Sequence, residues 1–258
     1  MASPVLLYEL KDQIAYITMN RPEKRNALNA ELCAELGRAW GRFEQDPDAR
    51  VAILSGAGKA FCVGQDLAEV RTASAEAGVA IIEALGRAFA PNGITVFKPI
   101  IGAVHGYAVG AGYGLAIMSC DLTIAAEGTQ FGFAEARVGV VGGIVEYTPH
   151  MPFKISLELM LTGQMMSAQR AYEVGLVNKV VPEAELMAEA IRWADVLKKN
   201  APLTLRAIKY AQYKVMDNVA TRSRREFNQF IRPQLESEDV KEGASAFLEK
   251  REPQFKGR

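Results

Sequence analysis

The sequence predicts an α/β core followed by a helical C-terminal part. Short apolar strands alternate with helical stretches up to about residue 150, and the spacing becomes almost wholly helical from Lys154 onward. No internal repeat and no low-complexity tract interrupts this pattern. A hinge between core and tail is expected at Pro202 or the turn near Asn200, giving a core over 1–200 and a helical region over 201–258.

The elements follow in order. "VLLYEL-KDQ-IAYITMN" reads as a hairpin, two apolar runs around a polar turn. Asn29 is placed to cap the helix "AELCAELGRAWGRFEQD", where Leu32, Leu36, Ala39 and Phe43 recur at helical spacing. "ARVAILSG" is a buried strand, "AGKAFCVGQDLAEV" a loop entering a helix at Asp66, and residues 75 to 90 look helical. "KPIIGAVHG" is a strand opened by Pro99, running toward a helix that begins near Ala111. "DLTIAAEG" is another strand and "TQFGFAEARVGVVGG" a compact, glycine-punctuated segment. "KISLELMLTG", "SAQRAYEVG", "EAELMAEAIRWADVLKKN", "PLTLRAIKYAQYKV" and "VATRSRREFNQFIRPQLES" favour helix, with one short strand at "LVNKVV".

Composition narrows the function. Of 258 residues, 49% are hydrophobic and 23% charged, which is enough to bury a sizeable core. Thirty basic residues offset thirty acidic ones, which argues against nucleic acid as a partner. Cys33, Cys62 and Cys120 lack metal-type spacing, and with only His105 and His150 an all-histidine metal site is nearly excluded. No signal peptide, transit peptide or membrane-length apolar run is read, so a soluble cytoplasmic protein is expected.

The densest signal is "HGYAVGAGYGLAIMSCD", which holds Gly106, Gly110, Gly112 and Gly114. A dinucleotide fingerprint would need a third glycine where Leu115 stands, and the acidic residue expected about twenty positions on is met only by the commonplace Glu127 or Glu135. A Walker A loop is absent. Two readings remain: close helix packing, or a helix N-terminus whose free N–H groups face a developing anion. "KAFCVGQDL" repeats the layout, with Gly64 presenting the N–H of Gln65 and Asp66 capping the next helix. A pair of such turns makes an oxyanion site a stronger reading than either turn alone.

On those residues the chain resembles the crotonase superfamily of enoyl-CoA hydratases and isomerases. "RPEKRNALN", "GAGKAFCVGQDL", "KPIIGAVHGYAVGAGYGLAIMSCDLTIAAEGTQFGFAEARVG", "LTGQMMSAQRAYEVGLVNKVVP" and "EGASAFLEKREPQFKGR" follow one another in the family's order. The resemblance implies a spiral of ββα units with a C-terminal helical trimerisation region, assembled as a homotrimer or a dimer of trimers. It implies an acyl-CoA substrate, with CoA as part of that substrate and no separate cofactor. It also implies an enolate held by the amides of Gln65 and Ala111, next to Gly112. Lys24, Arg25 and Ala27 match the region for the CoA adenine and phosphates, and Ala60, Asp66 and Leu67 the pantetheine and adenine end.

One departure stands out. Hydratases of the family typically carry two glutamates, and here the first position is Gly114 while the second is Glu135. Glu135 is therefore expected to act alone, moving a proton between two carbons or activating water and reprotonating the α-carbon. Glu146, in a segment that departs from the usual hydratase loop, is an auxiliary acid candidate, with a salt-bridged surface role as the alternative. The family's dehalogenases put tryptophan at the Glu135 position and aspartate near Gly143, and neither is present. Tyr113 and Tyr147 flank the implied acyl pocket, where they either hydrogen-bond an acyl group or pack. His105 reads as a satisfied histidine, His150 as a histidine without an identifiable partner, and Cys62 as a small core residue.

The expected protein is thus an enoyl-CoA hydratase/isomerase-type enzyme, lyase or isomerase. The alternatives are a hydratase-lyase on an aromatic enoyl-CoA, a catalytically weak acyl-CoA binder, and a structural subunit of a hetero-oligomer.

Overall fold

A computed structural model describes residues 3–72, 85–90, 96–139, 150–213 and 237–254. The hairpin expected at the N-terminus is β1 (Leu6–Lys11) and β2 (Ile14–Met19), antiparallel with Lys11 opposite Ile14. Asp12 and Gln13 both take left-handed angles, φ 51° and 65°, which suits the right-handed twist of a two-residue hairpin turn. α1 (Ala30–Gln45) is capped as expected: the Asn29 side chain accepts from the amide of Leu32 at 3.0 Å. Its Leu32, Leu36, Trp40 and Phe43 are fully buried, and Trp40 Nε1 donates to Ala88 O in a helical turn at 85–88. Residues 75–84 of the helix expected over 75–90 lie outside the described residues, and the helical turn ends at 88, with 89–90 in a bend and turn.

β3 (Val51–Gly56), β4 (Ile100–Val104), β6 (Leu122–Ala126) and β9 (Lys179–Val181) complete a six-stranded sheet ordered β1-β2-β3-β4-β6-β9, parallel from β2 onward. Both faces of this sheet are covered over β3 and β4, which explains why these strands are continuous apolar runs, whereas edge strand β1 alternates. Ala52 and Leu54 face the α1 side. Val51 and Ile53 face α6 (Leu186–Lys198), whose Leu186, Ala190 and Ala194 fill the second core.

The structure corrects the sequence expectation between β4 and the following helix. β4 ends at Val104, and the chain turns into a second strand, β5 (Tyr107–Val109), before reaching α3 (Ala111–Gly114). β5 pairs in parallel with β7 (Gln130–Gly132), and β7 pairs antiparallel with β8 (Met165–Ser167), making a separate three-stranded sheet. Three-residue strands carry too little alternation to be read in sequence. α3 passes directly into a π-helical turn, Leu115–Ser119. Two of its carbonyls find side-chain donors, Thr123 Oγ1 on Ala116 O (2.6 Å) and Tyr213 Oη on Met118 O (3.1 Å).

The C-terminal part is helical: α4 (Phe153–Thr162), α5 (Ala168–Glu173, capped by Ser167), α6, α7 (residues 202–213) and α8 (Glu238–Glu249). α7 docks on the core through buried Lys209, which donates to Asp121 Oδ2 (2.8 Å) and Lys98 O (3.0 Å). The turn at 199–201 is also tied down, since Arg50 donates to Lys198 O and Asn200 O. Most of the helix expected at "VATRSRREFNQFIRPQLES" lies outside the described residues.

Candidate active site

β3 and β4 are neighbours, and the loops leaving their carboxyl ends meet, as ligand-binding loops do in open α/β sheets. Three bonds join them: Phe61 N–H to His105 O (2.9 Å), Cys62 N–H to Tyr107 O (3.0 Å) and Val109 N–H to Cys62 O (3.0 Å). On its other side the 63–66 segment pairs with the 25–28 segment. Leu28 N–H donates to Gly64 O (2.7 Å), and Asp66 N–H donates to Leu28 O (3.0 Å). In this parallel pairing Leu28 bonds the residues on either side of Gln65, so the amide of Gln65 itself points away from Leu28.

Gly64, at φ +91°, makes the bend that sets Gln65, and it does so against the other loop. A Cβ on Gly64 would stand 2.8 Å from Val109 O and 3.4 Å from the amide nitrogen of Ala111. Ala111 opens α3, so its N–H has no intrahelical acceptor. Gly110 precedes it at φ 54°, ψ −121°, and its own N–H is held by Gly132 O at 2.9 Å. Gly112 lies so close to the partner loop that a Cβ there would be 2.1 Å from Cys62 O. The structure thus brings the Gln65 and Ala111 turns into direct contact.

Glu135 reaches the same place through the small sheet. β5 and β7 pair Val109 with Gly132, and the chain then enters a 3₁₀ turn, Glu135–Arg137. The carboxylate lies against Gly110, where a Cβ would meet Glu135 Oε1 at 2.8 Å. Glu135 Oε2 is buried without a hydrogen-bond partner among the described residues. Burial pushes the carboxyl up from 4.5 to about 7, against the opposing pull of the backbone amides of Glu135 and Ala134. Such a group has both protonation states available near neutrality.

The residues matched to CoA line the adjoining seam. Lys24 and Arg25 are exposed on a tight turn, while Ala27 and Ala60 are buried beneath it. Asp66 caps α2 (Leu67–Thr72) by accepting from Ala68 N–H (3.2 Å), and its other oxygen pairs with Arg21 at 3.2 Å. Two structural residues escaped the sequence reading. Arg21 also donates to Ala27 O. Asn26, fully buried, accepts from Arg21 N–H (2.9 Å) and donates to Ala57 O (2.9 Å) and Ala60 O (2.8 Å). An asparagine in the middle of a charged loop was the available signal.

The remaining residues resolve simply. Tyr113 is fully buried between Phe131 and Phe133, its ring 4.5 Å from that of Phe133, so it packs. His105 Nε2 is 2.9 Å from Gly58 O. Cys62 is a core residue whose thiol burial pushes up to about 12. Burial pushes His150 down. Gly114 is buried and supplies no acid. Glu146, Tyr147 and Gly143 lie outside the described residues.

Loops at the ends of parallel strands, with two glycine-bent backbone turns and one raised carboxyl at their junction, suit an enzyme that holds a developing anion beside an acid/base group. The chain belongs to the enoyl-CoA hydratase/isomerase family, whose model matches residues 9–258. It has the crotonase fold and is an acyl-CoA enzyme of hydratase/isomerase type. It is 37% identical over 258 residues to an (E)-benzylidenesuccinyl-CoA hydratase from Thauera aromatica, covering 98% of this chain and 99% of that protein. It is 36% identical over 260 residues to a carnitinyl-CoA dehydratase from Proteus mirabilis, covering 96% and 97%. Among solved structures, a carnitinyl-CoA dehydratase from Mycobacterium avium superposes with a TM-score of 0.83 at 35% identity, covering 99% of this chain and all of that one. Among the described residues no helix is long and apolar enough to cross a membrane.

Proposed function

We propose that the protein adds water reversibly across the double bond of an enoyl-CoA thioester, with Glu135 as its acid/base. The amides of Gln65 and Ala111 bind the thioester oxygen. In the hydration direction, ionised Glu135 takes a proton from water as the oxygen bonds the β-carbon, and electrons move onto the thioester oxygen. The neutral acid then returns its proton to the α-carbon, and the enolate collapses. Dehydration is the same path reversed. Water adds with no net electron transfer, so the reading needs no metal or redox cofactor, and CoA enters only within the substrate.

The observation that carries this reading is the unpartnered, buried Glu135 oxygen beside Gly110 and the amide of Ala111. The names of the similar proteins, a hydratase and dehydratases, favour water chemistry over double-bond migration. Lys24 and Arg25 are assigned to the CoA phosphates, with Ala27, Ala60, Asp66, Leu67 and Gly112 shaping the seam beside them. Assembly as a homotrimer or dimer of trimers in the cytoplasm belongs to the same reading. Exposed Leu203, Ile208 and Tyr210 on α7 offer apolar surface to a second copy, and light scattering tests that state.

The test is turnover of a panel containing crotonyl-CoA, carnitinyl-CoA and (E)-benzylidenesuccinyl-CoA by the wild type and Glu135→Gln. Glu135-dependent hydration or dehydration of a panel member supports the reading. Tight binding of CoA esters without Glu135-dependent turnover would replace it with the binder. Glu146→Gln tests the auxiliary acid: loss of hydration with retained α-proton exchange would assign Glu146 to the water.

A further inference from the structure

We propose that Gly243 positions the turn that carries Glu135, so that the C-terminal helix α8 sets where the acid stands. The proposal rests on the reading of Glu135 as the acid/base. α8 turns Gly243, Ala244 and Ala246 inward. A Cβ on Gly243 would lie 2.0 Å from Val138 O, 2.2 Å from Val138 C and 2.8 Å from Val138 Cα. The contact is backbone against backbone, so no flexible side chain is there to give way. Glycine is unfavourable in a helix interior, and alanine occupies the neighbouring buried positions 244 and 246; the close approach supplies the reason for glycine at 243.

What α8 presses on is one hydrogen-bonded unit. Val138 N–H donates to Ala134 O (3.2 Å) and Glu135 O (3.1 Å), and Arg137 N–H donates to Ala134 O (2.9 Å). A displacement of Val138 is therefore carried to Glu135. The same helix packs on α2, which follows the Gln65 loop. One element thus touches the supports of both the acid and an oxyanion donor. The segment after α8 folds back on the helix beside Gly243: Arg251 donates to Glu242 (2.6 and 2.9 Å), and Gln254 N–H donates to Glu242 at 2.8 Å.

The experiment compares full-length wild type, Gly243→Ala and Glu135→Gln on the panel member that the wild type turns over, with the folded fraction measured by circular dichroism at the assay temperature. For Gly243→Ala we expect kcat per folded molecule to fall ~10- to 100-fold with KM changed less than about 3-fold, because misplacing a catalytic group by an ångström has that effect. Unchanged kcat per folded molecule, with Glu135→Gln inactive, overturns the positioning role and leaves the acid in place. Full activity of Glu135→Gln overturns the acid reading itself. If Gly243→Ala does not fold, Ala246→Gly, which loosens α8 and leaves residue 243 unchanged, is followed by hydrogen exchange. Exchange in 133–139 should then rise together with that in 238–249 while 14–19 stays protected, and continued protection of 133–139 overturns the proposal.

Discussion

The carboxylate of Glu135 rests on the α-carbon of Gly110, twenty-five positions earlier in the chain, so closely that a methyl group there would stand 2.8 Å from Oε1. Gly110 also carries a positive φ of 54° and immediately precedes Ala111. The proposed acid and the proposed oxyanion donor thereby both adjoin one residue. Gly110→Ala must both strain the backbone, at about 1–3 kcal/mol, and push the carboxylate aside. We expect it to lower thermal stability and to reduce kcat/KM by ~10² or more, checked by calorimetry and steady-state kinetics.

Activity should depend on pH through the same carboxyl. In the proposed mechanism ionised Glu135 starts the reaction in either direction, and burial places its midpoint at about 7. A plot of log kcat/KM against pH should therefore rise from acid and level off above neutrality. Glu135→Gln should lose roughly 10²–10⁴ in rate. A limb near pH 4.5 would mean that the working group is not this desolvated acid.

Stability should move the opposite way. Between pH 4.5 and about 7 the unfolded chain has released the Glu135 proton while the folded chain still holds it. Rising pH across that window therefore lowers stability, by up to roughly 3 kcal/mol from this one group. Glu135→Gln cannot titrate. Its melting temperature should draw ahead of the wild type from pH 5 to pH 8, as followed by thermal denaturation in matched buffers.

Donors on the main chain make an unequal pair of predictions. Gln65→Ala removes a side chain but keeps the amide, so kcat should fall by no more than a few-fold. Gly64→Ala puts a Cβ 2.8 Å from Val109 O at φ +91° and turns that amide, so a loss of ~10²–10³ in kcat is expected. Equal losses in both variants would shift the role to the Gln65 side chain.

The seam beside the site depends on Asn26, whose three hydrogen bonds tie the Arg21 turn to the 57–60 loop. Asn26→Ala takes this partner from the buried Ala60 carbonyl and from the half-buried Ala57 carbonyl and Arg21 amide. A destabilisation of about 2–4 kcal/mol by urea titration is expected, with a raised KM for CoA esters as Lys24 and Arg25 lose their footing.

Much of the fold was legible in the sequence because its cues are local. A polar turn between apolar runs gave the hairpin, Asn29 announced α1, and apolar runs marked β3 as a buried strand and β4 as a strand opened by Pro99. The small sheet was not legible, since strands of three residues carry no period and β5 meets β7 only by tertiary pairing. Gln65, Ala111 and Glu135 were named from glycine spacing and family resemblance, whereas Arg21 and Asn26 passed as loop polarity because their partners lie up to 45 positions away.

The order of the longer elements, glycines where two backbones had to approach, and a glycine rather than a carboxylate at position 114 were written in the chain itself. Only the tertiary structure decided that Glu135 lies dry enough to titrate near neutrality, and that α8 leans on its turn through Gly243. Desolvation and close approach are properties of which distant segments meet, and no stretch of sequence contains both sides of such a contact.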